Sequence, residues 1–198
     1  MPVSRRKSNH LARKQIKSLW QVRKSTIKYL LCFGIGLLLG SLAAVICGSE
    51  SIPFRILLNQ LAILHKHGLW TLWREKLLYA AIIVLYLLIA ARCLWGNPLI
   101  LATPILFGVG QGAIITFLLM LLGWKGLTYI LMSNILPKTV QLAAIILLCN
   151  TAQSDLKRLS GGENITQALL WVVGAVLFAA GALMQTVMQI KLSSGIIA

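Results

Sequence analysis

An all-α, polytopic integral membrane bundle of about five transmembrane helices is the fold class the sequence predicts, and three observations predict it. Apolar residues make up 58% of the 198-residue chain and charged residues only 12%, a balance outside the range of soluble domains. Several windows reach the ~20 apolar residues that a helix needs to cross a hydrocarbon layer of about 30 Å. Prolines and glycines fall inside those windows at helical spacing, where neighbouring helices can make use of them.

The elements follow in chain order. Residues 1–26 form a basic tail: Arg5, Arg6, Lys7, Arg13, Lys14, Lys17, Arg23 and Lys24, then Lys28, precede Tyr29 with no acid among them. The positive-inside bias places this tail in the cytoplasm, with membrane lipids as its partners at about 1 kcal/mol for each basic residue near anionic headgroups. A nucleic-acid arm is the competing reading of such a tail. It is set aside because the tail holds one aromatic, Trp20, and runs straight into a span; no nucleic-acid partner is expected.

Span one, residues 27–47, is read as an uncleaved signal anchor. Residues 51–76 are too interrupted by polar side chains to span, and are expected as an extracytoplasmic amphipathic helical segment. Phe54, Leu57 and Leu61 share one side of it, Gly68 breaks it, and Trp70 and Trp73 suit the headgroup level. These five apolar and aromatic residues are the expected partner surface. Span two covers 77–95 and span three 99–122, with helix breaks expected at Pro98 and Pro104. The next apolar run, 126–151, is interrupted by Pro137, which removes a backbone donor and disfavours helix at Leu136. It is either one kinked helix or, as preferred here, a re-entrant half-helix over 126–136 followed by a span over 138–153. The last span is 167–189 and residues 193–198 are a C-terminal tail. The transmembrane domain thus covers 27–192, with the N-terminus inside and the C-terminus outside. Loop charges add little to that orientation, since Lys157 and Arg158 inside face Lys125, Lys138 and Lys191 outside.

A helical ruler exposes two stripes of small residues. Gly36, Gly40 and Ala44 recur every four residues in span one, and Gly108, Gly112 and Thr116 do so in span three after Pro104. Apolar helices have little hydrophobic drive to associate in lipid, so contact depends on close backbone approach, which small residues permit. Both stripes are expected to be packing faces. Gln111, Asn134, Asn150, Gln185 and Gln189 are the polar residues within apolar runs, and interhelical hydrogen bonds are their default role.

Reactive chemistry has little to stand on. The four acids, Glu50, Glu75, Asp155 and Glu163, divide between the two sides of the membrane in this topology. Cys32, Cys47, Cys93 and Cys149 lie singly, without the paired spacing of a zinc site or a disulfide framework. His65 and His67 point apart on a helix at i, i+2. The run "GVGQG" has neither the spacing nor the preceding strand of a nucleotide loop. No catalytic residue, cofactor or metal is expected, and the protein is read as a non-enzyme.

From Gly96 to about Ala152 the chain resembles stage II sporulation protein M and its relatives. The resemblance rests on "GNP" at 96–98 (Gly96, Pro98), "FGVGQG" at 107–112 (Gly108, Gly112), "GWKGL" at 123–127 (Gly123, Trp124, Gly126) and "LP" at 136–137 (Leu136, Pro137). The basic tail, first anchor and amphipathic segment agree in position; the region after Ser154 has little that matches. The resemblance implies a non-enzymatic membrane scaffold of the engulfment machinery. Such a scaffold recruits peptidoglycan-remodelling partners, stage II sporulation proteins D and P or their equivalents, to the septal membrane of a sporulating cell. A permease-like subunit of a transporter is the alternative, motivated by the interruption at Pro137 and by Gln111.

Overall fold

The computed structural model describes residues 3–48, 52, 55, 69–157 and 165–196, and every described element is helical. Helix α1 is Val3–Cys47, α2 is Leu69–Ala90, α3 is Gly96–Ile130, a π-helical turn covers Leu131–Ile135, α4 is Leu136–Lys157 and α5 is Ile165–Ile196. Of the expected partner surface, Phe54, Leu57 and Leu61 lie outside the described residues. Trp70 and Trp73 belong to the start of α2, so the helix of span two begins well before residue 77.

Direction follows from the contacts. Phe33 meets Gly108 and Leu37 meets Gly112, so α1 and α3 run parallel. Ile100 meets Cys149 while Phe107 meets Lys138, so α3 and α4 are antiparallel. Trp171 bonds Asp155 and Gln185 bonds Gln141, so α4 and α5 are antiparallel too. The core gathers around Phe107, which lies 6.0 Å from the Phe33 ring and 6.5 Å from that of Phe178. Leu87, Ile100, Ile145, Leu148 and Cys149 close round it. Outward, α1 presents Leu31, Ile35, Leu38, Leu42 and Ile46, and α2 presents Leu78, Ile82, Leu85 and Ile89, all exposed. Apolar stripes of that size are far larger than a water-facing surface carries and match a lipid-facing one.

The helix breaks are not where the prolines predict them. Pro98 sits in the first turn of α3, where a missing N–H costs nothing. Pro104 lies inside α3 with helical backbone on either side. It deprives the Ile100 carbonyl of its helical donor, and the Cys149 thiol of α4 donates to that oxygen instead, at 3.7 Å. Pro137 does not end a helix either. The π turn immediately before it lets carbonyls bond five residues ahead, which accommodates a residue with no N–H to offer at the fourth. The preferred half-helix followed by a separate span is therefore corrected: the backbone stays helical from Trp124 through the π turn into α4, and the break comes earlier, at Gly123. With φ 54° and ψ −133°, Gly123 is the one non-helical residue inside α3, in a region where a Cβ is strained. A Cβ there would touch nothing within 4 Å, so Gly123→Ala should cost only the backbone term, about 1–3 kcal/mol. Thermal unfolding of the purified protein in detergent checks this; a neutral result would mean that the chain bends without needing glycine.

Candidate functional site

Two constructions stand out. The first is a seam between α1 and α3. A Cβ added at Gly36 would lie 2.2 Å from the Ile105 carbonyl oxygen, at Gly40 2.0 Å from that of Val109, at Gly108 2.4 Å from that of Phe33, and at Gly112 2.1 Å from that of Leu37. Each value is far below van der Waals contact, so at four positions the two backbones approach to a distance that only glycine allows. The seam continues with Ala44, buried against Phe117 and Ala113, and the Ser41 hydroxyl donates to the Gly112 carbonyl at 3.4 Å. Thr116 is half-buried on the same stripe. The two small-residue stripes are thus the two halves of one contact.

The second is a polar layer inside the bundle. Gln141 Nε2 of α4 donates to Gln185 Oε1 of α5 at 3.4 Å, and Gln185 Nε2 donates in turn to Asn134 Oδ1 of the π turn at 3.3 Å. Nearby, Lys76 Nζ of α2 donates to Gln189 Oε1 of α5 at 2.6 Å. Lys138 Nζ of α4 lies over the Phe107 ring, 5.3 Å from its centroid, an attraction between cation and ring quadrupole. At the other end of the bundle, Ser25 Oγ donates to Asn150 Oδ1 at 2.6 Å, and the buried Tyr29 hydroxyl has two acceptors within reach, Cys149 O at 3.3 Å and Gln153 Oε1 at 3.1 Å. Trp171 Nε1 donates to Asp155 Oδ2 at 2.8 Å beside it.

The remaining sequence-marked residues are dispersed. Gly96 is pressed against the Ala90 carbonyl, 2.1 Å from where its Cβ would be, and so closes the turn between α2 and α3. Pro98 is exposed and Trp124 is 87% exposed beyond the Gly123 break, while Gly126 follows on the short stretch that leads to the π turn. Leu136 faces outward and Pro137 is fully buried. Trp70 is exposed, whereas the Trp73 ring packs on it at 5.0 Å and turns a buried indole N–H inward. Gln111 is buried. Of the cysteines, Cys149 is buried, Cys32 and Cys93 are half-buried and Cys47 is exposed. The sequence reading passed over Lys76, Lys138 and Gln141. Their signal lay in register: Asn134, Lys138 and Gln141 fall on the helical face that carries the buried Ile145, Leu148 and Ala152.

These features define an all-helical membrane protein, in which three helical stretches, Arg23–Cys47, Gly96–Trp124 and Thr166–Lys191, are long and apolar enough to cross a bilayer. Helices α2 and α4 are shorter and carry charge within them, Arg74, Glu75 and Lys76 in the one and Lys138 and Asp155 in the other. No family model, curated protein or solved structure matches the chain.

Proposed function

We propose that the protein is a non-enzymatic membrane scaffold, with five crossings by α1 to α5 and the N-terminus in the cytoplasm, that positions cell-wall-remodelling partners at the outer membrane face. The observation that carries this reading is the seam: backbone-to-backbone contact at four glycines makes α1 and α3 a rigid pair, and rigidity is what a docking platform requires. The resemblance to stage II sporulation protein M supplies the process, engulfment at the septal membrane, and the partner class, peptidoglycan-remodelling proteins of the D and P type. Residues 51–68 together with Trp70 and Trp73 are the docking surface in this reading. Replacing residues 51–68, which precede α2, by an unrelated hydrophilic linker should abolish co-purification of those partners while membrane insertion is retained. Undiminished recovery of the partners would remove the proposal.

A second reading, a permease-like transporter subunit, draws on one specific observation. The π turn Leu131–Ile135 contributes Asn134 to a buried chain of amides, and interrupted helices beside polar groups mark binding sites in transporters. Accumulation of a co-expressed ATPase partner with the purified protein would favour it over the scaffold.

A further inference from the structure

Helix α1 is longer than a bilayer requires. It runs unbroken from Val3 to Cys47, 45 residues, of which the 25 from Arg23 to Cys47 are the stretch able to cross. At about 1.5 Å per residue that stretch nearly fills the roughly 40 Å of hydrocarbon and headgroups, so the turns before Arg23 stand in water. Arg5 and Lys7 then lie about 24–27 Å beyond the headgroups, and still about 18–21 Å with the helix tilted by about 40°. That is at least about two Debye lengths, too far for the lipid charge to hold them. The root of this arm is fixed to α4. Tyr29, 1% exposed, has Cys149 O and Gln153 Oε1 within reach of its hydroxyl at 3.3 and 3.1 Å, and Ser25 Oγ donates to Asn150 Oδ1 at 2.6 Å. Past this joint α4 continues to Lys157, about 10 Å, whereas the arm runs on for about 33 Å to Val3. Its charge is patterned as well. Arg6, Arg13, Lys17, Lys24 and Lys28 follow one another at intervals of seven, four, seven and four residues. Eleven residues make three helical turns, so these positions form one line along α1, within about 60° of each other, with positions 16, 20 and 27, all apolar or aromatic, along its border. Lys24 and Lys28, at the root, are exposed.

We propose that this line is a docking surface for an acidic amphipathic helix of a protein partner on the N-terminal side of the membrane. The occupant is not the protein's own bilayer, which lies too far from the outer half of the arm. It is not a second copy either: no acid occurs before Glu50, so two such arms repel. A helix laid alongside matches a straight line of charge with an apolar border, its acids answering the five basic positions and its apolar residues answering positions 16, 20 and 27. A nucleic-acid backbone would use the charge alone. The proposal rests on α1 crossing the bilayer and not on what assembles at the other face, so it stands or falls separately from the scaffold reading.

The test uses the full-length protein in nanodiscs of dioleoylphosphatidylcholine, with and without dioleoylphosphatidylglycerol. A fluorophore on the N-terminal amine should escape quenching by a nitroxide carried on the lipid headgroup in both. Quenching there would show the arm lying on the membrane and overturn the proposal. The binding probe is a synthetic helical peptide with glutamates at alternating intervals of seven and four residues, leucines beside them and alanines elsewhere. Its fluorescence anisotropy should report saturable binding that Arg6→Gln/Arg13→Gln/Lys17→Gln weakens at least about tenfold. Arg5→Gln/Lys7→Gln/Lys14→Gln removes the same charge from other faces of the helix and should weaken binding less than about threefold. Glutamine is close to lysine and arginine in helix propensity, so both variants keep the arm helical. Equal losses in the two variants, no saturable binding, or tighter binding of polyuridylate RNA at the same ionic strength overturns the proposal.

Discussion

Gly112→Ala should melt well below the wild type in detergent, whereas Gly110→Ala, two residues away on the same helix, should melt at the wild-type temperature or slightly above it. A single methyl at position 112 would lie 2.1 Å from the Leu37 carbonyl oxygen, while at position 110 it would meet nothing within 4 Å. The obstacle at 112 is backbone, which cannot rotate aside as a side chain can, so α1 and α3 must separate along the seam. Overpacking of this kind typically costs about 1–3 kcal/mol, and the upper end is expected here because separation also strips contacts from Ala44, Phe117 and Ser41. At position 110 the trade is that of glycine for alanine in an exposed helix, a gain of up to about 1 kcal/mol. Gly40→Ala should reproduce the Gly112 effect, its methyl lying 2.0 Å from the Val109 carbonyl oxygen. The pair Gly40→Ala/Gly112→Ala should cost less than the sum, because helices already parted by one methyl leave room for the other. Equal melting of the 110 and 112 variants would dismiss the seam as an organising contact.

The second large effect is expected from Gln185→Leu. Gln185 is 6% exposed, accepts from Gln141 and donates to Asn134, and so ties α5 to α4 and to the π turn at once. Leucine fills a similar volume but leaves the Gln141 amide hydrogen and the Asn134 carbonyl oxygen without the partner that Gln185 provides. Interhelical hydrogen bonds in membranes are worth about 0.6–2 kcal/mol each, so the loss of two amounts to about 1–4 kcal/mol. Gln185→Glu is the informative companion: as the neutral acid it accepts from Gln141 through its C=O and donates its O–H to Asn134, whereas ionised it buries an unpaired charge, so its melting temperature should fall relative to the wild type as pH rises. Unfolding in detergent, followed by tryptophan fluorescence, reads both. A Gln185→Leu protein as stable as the wild type would mean that the amide chain adds nothing.

Much of the helical frame is written in local chemistry. Apolar windows of membrane-spanning length locate helices whatever their neighbours are, and the four-residue spacing of Gly36, Gly40, Gly108 and Gly112 marks the faces available for close approach. What spacing does not reveal is which face meets which. That the two stripes lie against each other, and in parallel, depends on how α2 returns the chain, a tertiary matter. Proline misled for a related reason. The rule that proline ends a helix describes an isolated chain, whereas here Cys149 compensates Pro104 from another helix, and a π turn absorbs Pro137. Gly123 carried the actual break and was legible only as one glycine among many. Lys138 reads in sequence as one more outer-face charge, and Lys76 carries no mark at all, because a side chain that reaches inward is indistinguishable, in sequence, from one that reaches out to the headgroups.

The parallel pairing of α1 with α3 sets an order for biosynthesis. Ser41 and Gly112 are 71 residues apart, so the first helix leaves the ribosome long before its mate and must wait in the bilayer with its notched face turned to acyl chains. The second helix is made before α5, whose Gln189 accepts from its Lys76, exists. A nascent chain halted just past Trp124 should therefore hold its first and third helices together while the second still lacks the contacts that the last two helices bring.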